Sequence, residues 1–248
     1  MKVLKTVSEA RSFLGEDVGF VATMGALHEG HGSLIKRSKK ENTQTCVSIF
    51  VNPTQFNNLK DLEQYPDRTE EDLLYCKNLG VDYVFMPEVS EIYGAGETIS
   101  LMESTISKDF EGAHRPGHFN GVLQVVMRLL NIISPKRAYF GEKDYQQLKL
   151  IENMVAEYFM KVEVVGVPIL REEHGLALSS RNYNLSKEGL LRAREIAKAF
   201  LETDSKESLL VKAPYIDLEY YGSDWGRTLI AHYIEGVRLI DNKPERGL

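Results

Sequence analysis

The sequence predicts an α/β protein built on a parallel sheet, followed by a small α+β domain. Three short runs of apolar and β-branched residues, at 18–23, 45–51 and 81–86, are typical of strands that are buried on both faces. A segment with helical spacing lies between successive runs. Strands that alternate with helices favour a parallel sheet, whose ligands bind at the carboxyl ends of the strands.

The elements of the first half follow one another with clear stop signals. The polar stretch 52–67 predicts a long loop, Gly80 is expected to end a helix, and Pro87 is expected to end a strand. The predicted elements are a strand at 18–23, a helix at 32–41, a strand at 45–51, a helix at 69–79 and a strand at 81–86.

The same alternation continues in the second half. Six apolar residues between Val122 and Ile133 recur at helical spacing and predict one buried helix face. Only 66 residues follow Asn182, and the helix and the two strands predicted there favour a small α+β appendage. The predicted elements are strands at 137–140 and 162–167, helices at 145–159 and 187–200, and strands at 216–221 and 236–240.

Composition and charge exclude several classes of function. The net charge of −6 argues against broad binding to nucleic acid or to anionic membranes. The chain opens without a secretory signal pattern, and its most apolar stretch, 121–133, is too short and too polar to cross a bilayer. We therefore expect a cytoplasmic protein. Cys46 and Cys76 lie in apolar segments and are expected to be reduced core residues.

The most informative segment runs from Met24 to His31, between the first predicted strand and the helix that follows it. His28 and His31 are three residues apart and would share a helix face, and Gly30 precedes the second imidazole. A helix N-terminus presents unsatisfied N–H groups and a positive dipole end, so it can receive phosphate. Histidines there can donate to phosphate oxygens and stabilise charge that develops during transfer. The segment therefore predicts a nucleotide triphosphate site.

Two other interpretations of these histidines are open. They could be surface or capping residues, as single histidines usually are. Zinc is a weaker option, because the spacing is three rather than the four of a helical metal-binding pair, and no third ligand lies nearby in the sequence.

A second polar cluster follows the predicted strand at 137–140. Gly141 permits close approach of the backbone to a ligand, and Lys143 offers a point charge to phosphate. Gln147 lies one helical turn beyond Lys143, so that cation and amide can converge on one ligand. The alternative is an ordinary charged helix start, in which Glu142 and Asp144 complement the helix dipole.

Three further polar groups are candidates for ligand binding. Ser179, Ser180 and Arg181 combine two hydroxyls with a guanidinium, which suits triphosphate oxygens on a loop that can close, although a helix-capping turn has the same composition. Gln55 offers a neutral amide to a substrate hydroxyl or carboxylate. Arg115 either adds a cation to the cleft or has a structural role.

These segments together resemble the pantothenate synthetase (pantoate–β-alanine ligase) family, within the superfamily of nucleotidyltransferases with a His-x-Gly-His motif. The resemblance extends from about Val18 to Asn182, with a weaker echo at 237–242. The motifs that carry it, in order, are 24–31, 50–56, 140–147 and 178–182.

The resemblance implies an ATP-dependent condensation of (R)-pantoate with β-alanine through a pantoyl-adenylate, with release of AMP and diphosphate. It also implies a Rossmann-like domain over residues 1–170 that binds ATP and pantoate. A small C-terminal lid, shorter than is usual for the family, would span residues 171–248. A homodimer and a Mg²⁺ requirement are implied as well, with no nucleic-acid or membrane partner.

The family pattern also implies roles for individual residues. Gln55 and Gln147 would hold pantoate, with Gln55 beside the β-alanine site, and Arg115 is a further candidate for substrate binding. The catalytic set would be His28, His31, Lys143 and Arg181, with His31 as the proton donor. ATP contacts are implied for Met24, Gly25, Ala26, Leu27, His28, Glu29, Gly30, His31, Gly141, Glu142, Lys143, Asp144, Leu170, Leu178, Ser179, Ser180 and Arg181.

Mg²⁺ is expected to be held mainly by the phosphates, so no set of protein metal ligands is predicted. Glu71 and Asp72 are the candidates for direct or water-mediated contacts with the ion.

The chain departs from the family pattern at three positions. Ala22 stands where proline is usual, Gly32 where leucine is usual, and His174 where aspartate is usual. Gly32 costs about 1 kcal/mol of helix propensity relative to alanine and removes a packing side chain from the first helical turn.

Two other functions are open from the sequence. A cytidylyl- or adenylyltransferase that acts on a phosphorylated acceptor would need a basic acceptor pocket, whereas this chain offers Gln55 and Gln147. A nucleotide-binding regulatory protein without catalysis is supported only by Gly32 and the short C-terminal segment.

Overall fold

The structure is a computed structural model that describes residues 1–57, 62–63, 65–94 and 99–245. The chain forms two compact units whose segments alternate along the sequence. The first unit comprises Met1–Leu27, His31–Glu142 and Gln146–Val167, and the second comprises His28–Gly30, Lys143–Tyr145 and Pro168–Leu248. A single domain boundary at residue 170 stays a prediction.

A six-stranded parallel sheet forms the centre of the first unit, and the sequence predicts five of its strands but misses the one at Lys2–Leu4. Its strands are β1 (Lys2–Leu4), β2 (Val18–Thr23), β3 (Gln44–Ile49), β4 (Tyr83–Phe85), β5 (Arg137–Gly141) and β6 (Glu163–Val167). Their order across the sheet is β1-β4-β3-β2-β5-β6. The chain continues from β2 to β3 and β4 on one side of β2, and then adds β5 and β6 on the other side. The carboxyl ends of β2 and β5 therefore flank the topological switch point, where sheets of this kind bind ligands.

Helices connect these strands, and the predicted ones are confirmed with small shifts at their ends. The second to fourth residues of the predicted loop at 52–67 are not irregular, because Pro53–Gln55 forms a 3₁₀ turn. The helices are α1 (Val7–Phe13), α2 (Glu29–Glu41), α3 (Thr69–Asn78), α4 (Val89–Tyr93), α5 (Phe110–His114), α6 (His118–Ile133) and α7 (Tyr145–Glu157).

The core of the first unit follows from the apolar patterns. All six residues of the predicted face between Val122 and Ile133 are buried on α6. Cys46 and Cys76 are buried and free, as predicted. Burial raises the pKa of the Cys76 thiol to about 12 and that of Cys46 well above its usual range. Both thiols therefore stay protonated and behave as small apolar side chains.

The second unit has an antiparallel sheet of three strands and two helices. The helices are α8 (Lys187–Glu202) and α9 (Lys206–Lys212), and the strands, in spatial order, are β7 (Asp217–Asp224), β8 (Arg227–Ile234) and β9 (Val237–Pro244). The sequence predicts α8, β7 and β9 but misses α9 and β8. The central strand β8 is buried on both faces from Thr228 to His232, so it lacks the alternation that marks a half-exposed strand.

Gly32 has a packing reason that its helix propensity does not reveal. A Cβ atom at this position would lie 2.2 Å from the hydroxyl oxygen of Tyr75, which α3 brings against the first turns of α2. The expectation that Gly32 leaves a missing packing contact is therefore wrong, because Tyr75 occupies that space. Within the described residues, no helix is both long enough and apolar enough to cross a membrane.

His232 is a buried titratable group in the core of the second unit. It lies on β8, on the same face as Ile230 and Ile234, and pairs across the sheet with Leu218 and Leu239. Its Nδ1 atom forms no hydrogen bond with the described residues. Burial lowers the pKa of this imidazole to about 4, because the charged form would be poorly solvated.

We therefore expect acid to destabilise the protein through His232. The unfolded chain takes up this proton as the pH falls below the usual histidine value and the folded chain does so only near pH 4. Stability that is present above pH 6.5 is thus lost towards pH 4. Lowering the pKa from 6.5 to about 4 corresponds to a loss of about 3 kcal/mol in the free energy of unfolding once the pH falls below both values. Urea denaturation at pH 7 and pH 4.5 measures it in the wild type and in His232→Leu.

The leucine variant should lose roughly 2 to 3 kcal/mol less stability than the wild type over that interval. His174→Leu, at an exposed histidine, is the matched control and should retain the wild-type pH dependence. An unchanged pH dependence in His232→Leu would show that the buried imidazole is not responsible.

Candidate active site

The loop that follows β2 has an unusual backbone conformation. Gly25 and Ala26 have φ values of 87° and 51°, so two consecutive residues adopt the left-handed region. The hydroxyl of Thr23 accepts from the Gly25 N–H at 3.2 Å and donates to the carbonyl of Ser48 at 2.6 Å. The end of β2 is thereby fixed to β3 before the chain turns.

Asp72 holds the next part of this loop. Its two carboxylate oxygens accept from the backbone N–H groups of Ala26 and Leu27, each at 2.7 Å. The residue is only 3% exposed. Burial raises the pKa of Asp72, and the two hydrogen bonds oppose that increase by stabilising the carboxylate. Both oxygens therefore help to shape the loop, and a contact of Asp72 or Glu71 with Mg²⁺ stays a prediction.

His28 precedes α2 and caps its N-terminus, as the capping interpretation predicts. Because the cap uses only one ring nitrogen, the other can still serve a ligand. The Nδ1 atom accepts from the Gly30 N–H at 3.1 Å, which is the second helical position. An accepting Nδ1 carries no proton, so the neutral ring carries its proton on Nε2. Burial lowers the pKa of His28, and the nearby Lys143 ammonium lowers it further. The neutral imidazole with an Nε2–H donor is therefore the favoured form.

Gly30 is required by the orientation of the His28 ring. A Cβ at position 30 would lie 2.7 Å from Cε1 and 2.8 Å from Nδ1 of that ring. Any larger residue would therefore displace the imidazole or break its capping bond. His31 follows as the third residue of α2 and is partly buried, and Glu29 is the exposed first residue.

Gln55 lies beyond the carboxyl end of β3 and is held from several directions. Its amide oxygen accepts from Asn52 at 2.9 Å, and its amide nitrogen lies 3.1 Å from the Met24 sulfur, to which it donates. Asn52 also donates to the Gly121 carbonyl at 3.1 Å and accepts from the Tyr93 hydroxyl. The Gln55 amide therefore keeps one N–H and one oxygen lone pair for a ligand.

Gly121 allows α6 to approach the turn that carries Gln55. A Cβ at position 121 would lie 2.4 Å from the Thr54 carbonyl oxygen and 2.7 Å from the Gln55 backbone nitrogen. Because these are backbone atoms, they cannot move aside as a flexible side chain would. Glycine at this position is therefore a condition for the placement of Gln55.

Arg115 contacts protein groups that support the same turn. Its guanidinium donates to Nε2 of His118 at 3.0 Å, and Nδ1 of His118 lies 2.8 Å from the Gln55 carbonyl. A carbonyl only accepts and a guanidinium only donates, so His118 is neutral with its proton on Nδ1. Arg115 also lies 3.6 Å from the Glu111 carboxylate. Direct contact of Arg115 with substrate stays a prediction.

Gln146 and Gln147 are adjacent on α7 but have different environments. Gln146 is buried, accepts from the Glu111 N–H and donates to the carbonyls of Ile106 and Asp109. Gln147 is partly exposed, and its side-chain amide forms no hydrogen bond with the residues that the structure describes. Both ends of its amide therefore remain available to a ligand.

Lys143 lies in a 3₁₀ turn, Glu142–Asp144, directly after β5. Its ammonium is 4.0 Å from the Asp144 carboxylate, and its side chain is 21% exposed. Its carbonyl accepts from the Asn242 amide at 2.8 Å. The sequence predicts that Lys143 and Gln147 lie one turn apart on the same helix. In the structure Lys143 lies in the 3₁₀ turn and Gln147 in α7, which begins after it.

Residues 170–181 form a short hairpin followed by a 3₁₀ turn. The Leu178 N–H donates to the Leu170 carbonyl at 3.0 Å. Ser179 precedes the turn, and its hydroxyl accepts from the Arg181 N–H at 3.3 Å, as the capping alternative predicts. The Arg181 guanidinium donates to the Arg238 carbonyl at 3.0 Å.

The predicted residues divide between the two units. Within the first, Met24 contacts Gln55, and the loop with Gly25, Ala26 and Leu27 follows β2 while Gly141 ends β5. Within the second, His28 interacts with Lys143, and Leu178 lies near Gly30. Sequence reasoning missed Asn52, Gly121, His118 and Gln146, whose neighbours in the sequence were singled out. No group of three ligating side chains that could hold a metal occurs among the described residues.

Comparison with known proteins gives consistent matches. Residues 1–244 match the family model described as pantoate-beta-alanine ligase. The pantothenate synthetase of Bdellovibrio bacteriovorus is 45% identical over 246 residues, which is 97% of this chain and 98% of that protein. The pantothenate synthetase of Legionella pneumophila is 46% identical over 236 residues, which is 94% of each chain.

Two solved structures are similar along almost their whole length. The crystal structure of pantothenate synthetase from Thermus thermophilus has a TM-score of 0.91 and 41% identity, covering 98% of this chain and 99% of that one. Pantoate-β-alanine ligase from Francisella tularensis, complexed with β-γ ATP and β-alanine, has a TM-score of 0.93 and 40% identity. That match covers 98% of this chain and 97% of the other.

The geometry around His28 predicts the effect of Gly30→Ala. The added methyl group should displace the imidazole and abolish the tautomer preference that the capping bond imposes. The melting temperature should change little, because the gain in helix propensity offsets the lost cap, each about 1 kcal/mol. Long-range ¹H–¹⁵N NMR of histidine-labelled protein reports the protonated nitrogen of His28.

Gly15→Ala is the matched control for this experiment. A Cβ at position 15 would contact only the end of the flexible Gln44 side chain. It should leave the His28 signals unchanged. If Gly30→Ala also leaves them unchanged, the steric account of Gly30 is wrong.

Proposed function

This chain belongs to the pantoate–β-alanine ligase family, and we propose that it condenses (R)-pantoate with β-alanine through a pantoyl-adenylate intermediate. ATP would supply the adenylate, and AMP and diphosphate would be released. The complex of the Francisella relative with an ATP species and β-alanine supports both of these ligands.

One observation carries the proposal. The segment between β2 and α2 lies at the switch point of a parallel sheet, its backbone is fixed by Asp72, and it places a neutral imidazole with an Nε2–H donor at a helix start. The Nε2–H of this neutral ring can donate to an anionic phosphate oxygen. We therefore assign Met24 to His31 to ATP.

The reaction needs activation of the pantoate carboxylate. Direct attack of an amine on a carboxylate would have to expel oxide, which is a very poor leaving group. Attack of the carboxylate on the α-phosphate of ATP forms a mixed anhydride and releases diphosphate, and the β-alanine amine then displaces AMP. No step needs a covalent enzyme intermediate, so no serine or cysteine nucleophile is required.

The chain's own residues would bind and stabilise charge in this scheme. His28, His31, Lys143 and Arg181, with Ser179 and Ser180, would contact the triphosphate and the departing diphosphate. Neutral amides suit pantoate, since a salt bridge would reduce the nucleophilicity of its carboxylate. Gln55 and Gln147 meet that requirement, and we assign them to pantoate.

We extend the proposal to the cation and the assembly. Mg²⁺, held mainly by the phosphates, would neutralise their charge. The resemblance also supports a homodimer and a cytoplasmic location.

The decisive assay uses the purified chain with ATP, Mg²⁺ and pantoate. Diphosphate should be released only when pantoate is present, and AMP and pantothenate should appear when β-alanine is added. A nucleotidyltransferase that needs a phosphorylated acceptor, or a regulatory protein without catalysis, would give no pantoate-dependent diphosphate.

His31→Ala should reduce pantoate-dependent diphosphate release by about 10²- to 10³-fold, because one donor to developing phosphate charge is lost. Its melting temperature should stay close to that of the wild type, since His31 is only partly buried. His174→Ala removes an exposed histidine and should keep full activity. Turnover of His31→Ala within a few-fold of wild type would contradict the assignment of His31.

Gly121→Ala should selectively weaken pantoate binding. The methyl group would force α6 away from the backbone of Thr54 and Gln55, at a cost in stability of about 1–3 kcal/mol. We expect the KM for pantoate to rise on the order of tenfold, which equals about 1.4 kcal/mol, while the KM for ATP stays within about twofold. Equal increases in both KM values would contradict the assignment of Gln55 to pantoate, and Gly15→Ala is the control.

A further inference from the structure

Two adjacent residues of β9, Asp241 and Asn242, contact two separate backbone segments of the second unit. Consecutive residues of a strand project to opposite faces of the sheet, so one strand can reach both segments at once. One segment is the hairpin that leads into Leu178–Arg181, and the other is Lys143–Tyr145. Neither Asp241 nor Asn242 was among the predicted site residues.

Asp241 holds the hairpin through Arg171. The guanidinium of Arg171 donates to the two Asp241 oxygens at 2.6 Å and 2.8 Å, a two-pronged contact. The same guanidinium donates to the carbonyls of Gly175 and Asn242. The guanidinium thus connects the bend of the hairpin at Gly175 with β9, and the backbone of Arg171 pairs with Ala177 in the arm that leads to Leu178.

Asn242 holds the Lys143 segment from the other face. Its amide nitrogen donates to the Lys143 carbonyl at 2.8 Å, and its amide oxygen accepts from Nε of Arg227 at 2.5 Å. The Arg227 guanidinium lies over the Tyr145 ring, 4.6 Å from its centroid. Because the arginine can only donate, the orientation of the Asn242 amide is determined, and its N–H must face Lys143.

A third contact from β9 reaches the same region. The Arg238 carbonyl accepts from the Arg181 guanidinium at 3.0 Å, and the Arg238 side chain is paired with the largely buried Glu219. The strand thus contacts two of the segments that the proposed function assigns to ATP, at Lys143 and at Arg181.

We propose that Asp241 and Asn242 are positioning residues for ATP, each fixing one nucleotide-binding segment through its backbone or its supporting arginine. This inference rests on the proposed function, which assigns Lys143 and Leu178–Arg181 to the nucleotide. Groups that bind a triphosphate must be held to within about 0.5 Å before binding, and hydrogen bonds behind them provide that restraint. The two residues support the binding groups and do not themselves bind ATP.

Two substitutions test the roles of these residues separately. Asn242→Asp keeps an oxygen for Arg227 but has no N–H to donate to the Lys143 carbonyl. Asp241→Asn keeps the size of the side chain but loses the charge and one of the two acceptors for Arg171. Asp217→Asn, at an exposed position of β7 in the same sheet, is the matched control.

The two variants also distinguish a positioning role from a direct effect of side-chain charge on ATP. Asn242→Asp adds a negative charge and Asp241→Asn removes one, so electrostatics alone would weaken binding of anionic ATP in the first variant and tighten it in the second. Positioning predicts that both weaken it. We expect the Kd for a non-hydrolysable ATP analogue, measured by calorimetry without pantoate, to rise on the order of tenfold in each.

The Kd for pantoate and the melting temperature separate positioning from a purely structural role. Both should stay near the wild-type values in the two variants and in Asp217→Asn. If Asp241→Asn does not fold, Arg171→Lys takes its place, because it keeps the charge but loses the two-pronged contact. Unchanged or tighter ATP binding in Asp241→Asn or Arg171→Lys, or parallel losses of ATP and pantoate affinity, would overturn the inference.

The proposed function can fail separately. If the wild type binds the ATP analogue but releases no diphosphate with pantoate, the function is wrong while the binding experiment still decides the positioning roles. If the wild type does not bind the analogue, both proposals are wrong.

Discussion

The pair of hydrogen bonds from the N–H groups of Ala26 and Leu27 to Asp72 is the constraint on which the rest of the candidate site depends. A loop with two successive left-handed residues is unfavourable by itself, and it leaves backbone N–H groups that need partners. One buried carboxylate satisfies two of them. The chain continues from this loop into His28, which caps the start of α2.

Close packing is a second constraint, because at three positions only glycine leaves enough space for a neighbouring side chain or backbone segment. Gly30 gives space to the His28 ring, Gly32 to the Tyr75 hydroxyl, and Gly121 to the backbone beside Gln55. The spacing of His28, Gly30 and His31 thus has a steric reason in addition to a chemical one. The ring that caps the helix fits only if the residue two positions later has no side chain.

Two histidines of the candidate site each use their two ring nitrogens in different ways. His28 caps a helix with one nitrogen and carries a proton on the other, and His118 links Arg115 to the Gln55 backbone in the opposite tautomer. In each case the neighbours determine which nitrogen carries the proton. The chemistry that a histidine can perform here is therefore decided by its hydrogen bonds and not by its place in the sequence.

The sequence by itself determined the alternation of strands and helices, the burial of the helix face at 122–133, and the motifs that identify the family. Local patterns suffice for these, because periodicity and turn residues act over a few positions. Only the tertiary structure decided that Asp72 shapes the loop, that Tyr75 fills the space at Gly32, and that Asp241 and Asn242 reach Arg171 and Lys143. These contacts join residues about 40 to 100 positions apart, as the 99 positions between Lys143 and Asn242 illustrate. No local pattern encodes such pairs, and the fully buried strand β8 was missed for a related reason, since its burial comes from packing on both faces and leaves no alternation to detect.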